Sequence, residues 1–529
     1  MVSLRVFLAA LVWLGLTGSA VHAQKPGGTL RIYHIANPPS LSIHEEATIS
    51  TVMPMMAVFN NLVLFDLRKP QNSLDTIVPE LAESWAWDAG RTKLTFKLRS
   101  GVVWHDGRLF TAKDVQCTWN RLSGKDAGYF RKNPRLVWYD NLEDVTVEGD
   151  ATATFHLRRP QPSFLALLAS GYSPVYPCHL AAKDMRTQPV GTGPFKFVSY
   201  AANVSISLAR NPNYWRSGRP YADAIDWRIT PNRSTRQLAF IAGEFDMTFV
   251  SDVTVPLLKD VTAQAPKATC ALVPSNVSVN VLVNSEKPPF DNPKLRRAMA
   301  LALDRQAIVD VITGGKATVS AAMMPPPQGL WGLPPEELGK LLGYSGSQEE
   351  RQTEARRIME DLGYGPAKRL AIKVATREFQ SYREPAVLIV DQLNKIYFDA
   401  DLEVIESAVW FARMGRGDFA VGANNTGAAI DDPDVMLKEN FACKSELNFS
   451  RYCNADVDKL LAAQSEEVDV EKRKQLVWQI ERKLIEDVAR PMIYHNRAAT
   501  CWHAHLKGFA RHENSIYNNW RFDDVWLDK

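Results

Sequence analysis

Pro289-Phe290-Asp291-Asn292-Pro293-Lys294-Leu295-Arg296-Arg297-Ala298-Met299-Ala300-Leu301-Ala302-Leu303 is where the chain changes its hydrophobic period. Upstream, 94–99 (Leu-Thr-Phe-Lys-Leu-Arg) and 153–158 (Ala-Thr-Phe-His-Leu-Arg) alternate apolar and polar residues, the spacing of strands. Here Leu295, Met299, Ala302 and Leu303 share one helical face, Asn292 is placed to cap the first turn, and Pro293 is tolerated inside it. Further helices are predicted at 349–363, 385–396, 455–467 and 471–488, the last with Leu476, Ile480 and Leu484 on one side. Strand candidates lie between them at 370–375, 401–405 and 418–423. This alternation predicts an α/β lobe with a largely parallel sheet.

Working outward, 27–33 reads as an opening strand broken by Pro38-Pro39-Ser40, and 67–189 is strand-rich. A chain of 529 residues suggests three to four domains, and 46% hydrophobic with 23% charged residues is a globular composition. Mean hydropathy of -0.21 leaves no room for a bundle of membrane helices. Lys and Arg number 62 against 59 Asp and Glu, without basic blocks, so no nucleic-acid partner is expected. Residues 1–23, with Arg5, an apolar run 6–16 and small residues before Gln24, read as a cleavable signal peptide, and Gln24 offers no thiol for a lipid. A periplasmic, non-lipoprotein product is expected. In that oxidising setting Cys443 and Cys453, which flank a polar loop, are expected to be bridged. Cys117, Cys178, Cys270 and Cys501 allow three pairings, or remain free thiols.

Several motifs point to chemistry less well than to structure. Trp104-His105-Asp106-Gly107 reads as a turn. Gly191-Thr192-Gly193 lacks the third glycine of a phosphate loop, and the 415–420 segment follows a helix and precedes a strand, the reverse of a dinucleotide fingerprint. Cys501, His503 and His505 share one face of an extended segment, the one candidate metal triad. No G-x-S-x-G, H-E-x-x-H or Walker pattern is present, so no enzyme activity, cofactor or resident metal is expected.

Longer runs carry a resemblance. Pro79-Glu80-Leu81-Ala82-Glu83-Ser84-Trp85, the stretch 95–107 (Thr-Phe-Lys-Leu-Arg-Ser-Gly-Val-Val-Trp-His-Asp-Gly) and Phe110-Thr111-Ala112-Lys113-Asp114-Val115 are similar to the family 5 extracellular solute-binding proteins of ABC importers. Val190-Gly191-Thr192-Gly193-Pro194-Phe195, Arg210-Asn211-Pro212-Asn213-Tyr214-Trp215 and the 289–302 run extend the resemblance over essentially the whole chain. It implies a periplasmic binding protein-like α/β fold of the large cluster C type. One lobe would comprise 24–66, 190–279 and 490–529 with an extra strand-rich domain at 67–189, and the other 280–489. Two crossings, near Val279-Asn280-Val281 and Pro491-Met492-Ile493, would form the hinge. The partners would be a small organic solute and the permease subunits in the inner membrane, the protein itself being a monomer.

The resemblance also nominates a site. In peptide-binding members an Asp shortly before an Asp-Pro-Asp holds the peptide ammonium, and a Trp precedes it. Anchored on Asp432-Pro433-Asp434, those positions hold Ala429 and Thr426 here, beside Asn425, with Asp431 two residues on as the possible replacement. A methyl group cannot pair a desolvated ammonium, which argues against an unmodified peptide. Arg377 falls where dipeptide-binding members place an Arg for the ligand carboxylate, with Arg383 competing. Trp410 is expected to stack on the ligand, and His44 or Glu45 to face the cleft where members carry an Asp. Replacing Arg377 or Trp410 by Ala is therefore expected to weaken binding without lowering the melting temperature. The alternatives are a metal or metal-chelate carrier using His503 and His505, and an exported hydrolase.

Overall fold

The computed structural model describes residues 24–529; the expected signal peptide lies outside the described residues. Thr29–His34 forms the opening strand and pairs in parallel with Ala224–Ile229, which continues antiparallel through Ser205–Arg210 to Phe195–Ala201. A second antiparallel sheet holds Ala82–Trp87, Lys93–Leu98, Thr152–Leu157 and Leu142–Glu148, the strand-rich region expected at 67–189. His105 ties the two together: its ring Nε2 bonds Gly193 O at 3.0 Å and its backbone N–H donates to Gly191 O at 2.8 Å. The Trp-His-Asp-Gly motif is thus structural. A Cβ on Gly191 would lie 1.9 Å from Val58 O, so close backbone approach, not phosphate binding, requires that glycine.

The period change reads out as drawn. Pro293–Ala302 is a helix whose Asn292 side chain accepts from Lys294 N, followed by helices Gln348–Asp361, Gln380–Asn394, Ala455–Glu466 and Val470–Glu486. In the last of these the buried side runs through Arg473, Val477, Ile480 and Leu484, not through Leu476. Arg473 can enter that face because Asp432 takes both of its terminal nitrogens, at 2.9 and 2.7 Å.

The six-stranded sheet corrects one expectation. Phe398–Ile405, Leu370–Arg377 and Val421–Gly427 are parallel, but Thr269–Val283, Met492–Trp502 and the short Thr318–Val319 complete the sheet in antiparallel register. The sheet is mixed because the chain enters the lobe along one long strand and leaves along its neighbour. Those strands pair from Thr269↔Trp502 to Asn280↔Met492, with register breaks between Pro274 and Ser278 and between Val279 and Asn280. Cys270–Cys501 staples them at one end, while Cys117–Cys178 and Cys443–Cys453 close local loops. The parallel strands and their helices enclose their own apolar core, around Val281, Leu295, Val374 and Ile389. Ala428 to Ile430 and helix residues Val457, Leu461, Val477 and Ile480 instead join the core of the N-terminal and extra sheets.

Candidate functional site

Where the lobes meet, a cavity holds about 1320 Å³ of unfilled space, part of it open to solvent. It sits beyond the carboxyl ends of the parallel strands Leu370–Arg377 and Val421–Gly427, the place where open α/β sheets bind ligands. Residues 47–50 and 249–252 line the opposite wall, and Arg135 and Tyr172 come from the extra domain. Tyr517 closes the floor against Gly427, where an added Cβ would lie 2.4 Å from the Tyr517 hydroxyl oxygen.

Arg377, at the last position of its strand, is 5% exposed and on this cavity. Its Nε donates to Ser407 Oγ at 3.2 Å and its Nη1 to Tyr382 OH at 3.0 Å, and its guanidinium lies 4.8 to 5.2 Å from the rings of Phe379, Tyr382 and Phe411. Among the described residues no carboxylate forms an ion pair with it. Arg135 and Arg233, also on the cavity, are matched by Glu439 and Glu384. The two carboxylates on the cavity are likewise taken. Asp252 receives Arg236 through two 2.7 Å bonds; burial pushes its carboxyl up, but those bonds outweigh it and hold it below the usual range. Glu439 is paired with Arg135, burial pushing its carboxyl up to about 7 while Arg135 pulls it down.

Asn425, Thr426 and Ala429 also line the cavity. Asn425 donates Nδ2 to Ser381 O at 3.2 Å and leaves Oδ1 without a partner. The Ala429 carbonyl accepts from Ser515 Oγ and Asn518 Nδ2, at 2.8 and 2.9 Å.

Four nominated residues are elsewhere. His44 is fully buried, stacked at 3.9 Å on Tyr176 with Nε2 bonded to Pro174 O, and burial pushes its pKa down to about 3. The Glu45 carboxylate takes Arg186 Nη1 at 3.0 Å and Arg131 N at 2.7 Å. Their loop does reach the cavity, but through 47–50. Trp410 is 0% exposed in a small core with Leu282, Ala375, Ile405 and Met414; its neighbour Phe411 faces the cavity instead. The Asp431 carboxylate accepts from Leu330 N at 3.1 Å, away from the cavity, and burial pushes it up to about 7. The sequence reading passed over Phe379, Tyr382, Phe411, Arg135 and Tyr517. The Phe379-to-Tyr382 spacing beside Arg377 was the available signal.

The metal triad dissolves. Cys501 is consumed by Cys270, His503 Nε2 bonds Phe240 O at 2.8 Å, and His505 Nε2 bonds Asp246 Oδ1 at 2.7 Å. Among the described residues no group of three or more His, Cys, Asp or Glu could hold a metal ion, and no helix is long and apolar enough to cross a membrane.

A two-lobed α/β chain with an aromatic, cationic cavity at the lobe junction defines the solute-binding class of protein. Comparison with known proteins makes this specific: residues 76–448 match the model of bacterial extracellular solute-binding proteins, family 5. The chain belongs to that family. It is similar to a probable di/tripeptide-binding protein 5 of Pseudomonas aeruginosa (26% identical, covering 91% of this chain and 93% of the relative). It is also similar to a probable deoxycholate-binding periplasmic protein of Escherichia coli (24% identical, covering 93% of this chain and 92% of the relative). In fold it superposes on a periplasmic binding protein of Helicobacter pylori solved with the peptide STSA, with TM-score 0.83 and 23% identity over 96% of this chain and 99% of that one. Its function is the family's: capture of a solute for an ABC importer.

Proposed function

We propose that the protein captures a small organic anion with an apolar or aromatic body and no free ammonium group. The observation that carries this is Arg377, a buried guanidinium on the cavity with unspent donors and, among the described residues, no carboxylate partner, inside a ring of three aromatic side chains. Both cavity carboxylates are already matched by arginines, so an ammonium would find no free anion. One relative is named for di- and tripeptides and another for deoxycholate, a carboxylic acid with a large apolar body, so family membership leaves the ligand class to the cavity.

Capture proceeds by closure of a lobe of 24–66, 190–279 and 490–529, carrying the extra domain 67–189, onto a lobe of 280–489. A solute held by Arg377 on one side and by 47–50 and Tyr517 on the other contacts both lobes, which is what gives it higher affinity for the closed state. The protein works as a monomer in the periplasm, exported by its signal peptide, without catalysis, and delivers the solute to permease subunits. Mass spectrometry of the solute released from freshly purified protein tests the reading. An intact acid without a free amine supports it; an unmodified peptide or a cleaved product overturns it.

A further inference from the structure

The cavity wall at Val421–Gly427 is backed by a second cation. Arg490, at the start of the outgoing crossing, is 4% exposed, and every acceptor it meets is neutral: Asn440 Oδ1 at 2.9 Å, Asn440 O and Ser450 Oγ at 3.4 Å, and Thr426 Oγ1 at 3.5 Å. Among the described residues no carboxylate forms an ion pair with it, and burial pushes its pKa down to about 9. A buried charge without a counter-ion is costly unless something supplies one.

Thr426 links that charge to the cavity. Its hydroxyl oxygen lies within reach of Asn280 Nδ2 at 3.0 Å, Asn424 Nδ2 at 3.1 Å and the guanidinium of Arg490. Three donors exceed the two lone pairs of a hydroxyl, so the Thr426 O–H is committed to donating, and Thr426 lines the cavity. The last pair of the parallel ladder is Ala375 with Gly422; continued by two residues, that register puts Arg377 beside Asn424, with Thr426 two residues farther on the same face. The two backbone positions are therefore roughly 8 Å apart.

We propose that the solute carries two acidic groups several ångströms apart, one on Arg377 and one accepting from the Thr426 hydroxyl, where Arg490 neutralises it from behind. Arg490 is a positioning residue that does not touch the solute. This inference rests on the anionic-solute reading above and names its class more narrowly.

The test is calorimetric titration of the full mature protein with N-succinyl-phenylalanine (two carboxylates), N-acetyl-phenylalanine (one) and N-acetyl-phenylalanine amide (none). The two-carboxylate probe is expected to bind at least tenfold more tightly than the one-carboxylate probe. That ratio should fall toward one in Arg490→Gln and in Thr426→Val through loss of N-succinyl affinity, and persist in Arg490→Lys. A purely structural role for Arg490 would instead weaken both probes together and overturn the proposal. A wild-type ratio near one overturns the second acidic group and leaves the single-anion reading standing. The amide binding as tightly as N-acetyl-phenylalanine, or none of the three binding, overturns both.

Discussion

Arg377 and Trp410 were both expected to contact the solute, and their surroundings separate them. Arg377 keeps donors free toward the cavity, and charge-assisted hydrogen bonds are worth about 1.5–3 kcal/mol. Arg377→Met, which keeps the stem packed among the aromatic rings, should weaken solute binding about ten- to hundredfold, with the apo melting temperature nearly unchanged. Trp410, with no exposed surface, should behave oppositely. Trp410→Ala is expected to cost about 3–5 kcal/mol of stability, read by denaturant unfolding, and to affect binding only through loss of folded protein. A wild-type melting temperature for Trp410→Ala would show the core assignment to be wrong. The expectation that this substitution spares stability fails because successive residues on a helix point about 100° apart, so Phe411, not Trp410, reaches the cavity.

The two crossing strands carry the chain between the lobes, and Cys270–Cys501 fixes their relation across a sequence separation of 231 residues. By chain entropy such a loop is worth about 5 kcal/mol, against about 3 kcal/mol for the 10-residue separation of Cys443–Cys453. Replacing both Cys270 and Cys501 by Ser should therefore lower the denaturant midpoint more than replacing both Cys443 and Cys453; the reverse order would refute this ranking. The register break between Val279 and Asn280 falls in the stretch expected to serve as hinge, and a second lies just before it, between Pro274 and Ser278. There the ladder is already interrupted, so bending breaks fewer backbone hydrogen bonds.

For the molecule as a whole, the lobes share apolar packing around Ala428 to Ile430 and are also joined by charged contacts. Arg233–Glu384, Lys438–Asp140 and Arg159–Glu466 each have an exposed partner, and such pairs contribute about 0–1 kcal/mol. Arg135–Glu439 differs in being buried on both sides, 2% and 7% exposed. Because burial raises the Glu439 carboxyl to about 7 from its ordinary 4.5, its contribution to stability is complete below about 4.5. It is lost as pH rises through about 7. Glu439→Gln should remove one downward contribution, so between pH 5 and 7 the variant's melting temperature falls less, or rises more, than the wild type's. Asp431 and Glu481, both also pushed to about 7 by burial, act in the same direction, whereas His34, His44, His105, His495 and His512, pushed down to about 3–4 by burial, act in the opposite one. An unchanged slope would show that Glu439 stays ionised throughout.

The sequence by itself determined the elements and the family. Periodicity and caps are relations between neighbours, so Asn292 with Pro293 announced a helix that the fold kept, and the runs around 79–115 carried the family. It also put Arg377, Asn425, Thr426 and Ala429 in one neighbourhood of the cavity. Only the tertiary structure decided that His44, Glu45, Trp410 and Asp431 lie away from it, that Cys501 is spent on a cysteine 231 residues distant, and that half the large sheet is antiparallel. Burial and charge compensation depend on what the rest of the chain brings alongside. Thr426 draws its donors from Asn280, 146 residues away, and Arg490, 64 residues away, and no local pattern encodes such a meeting.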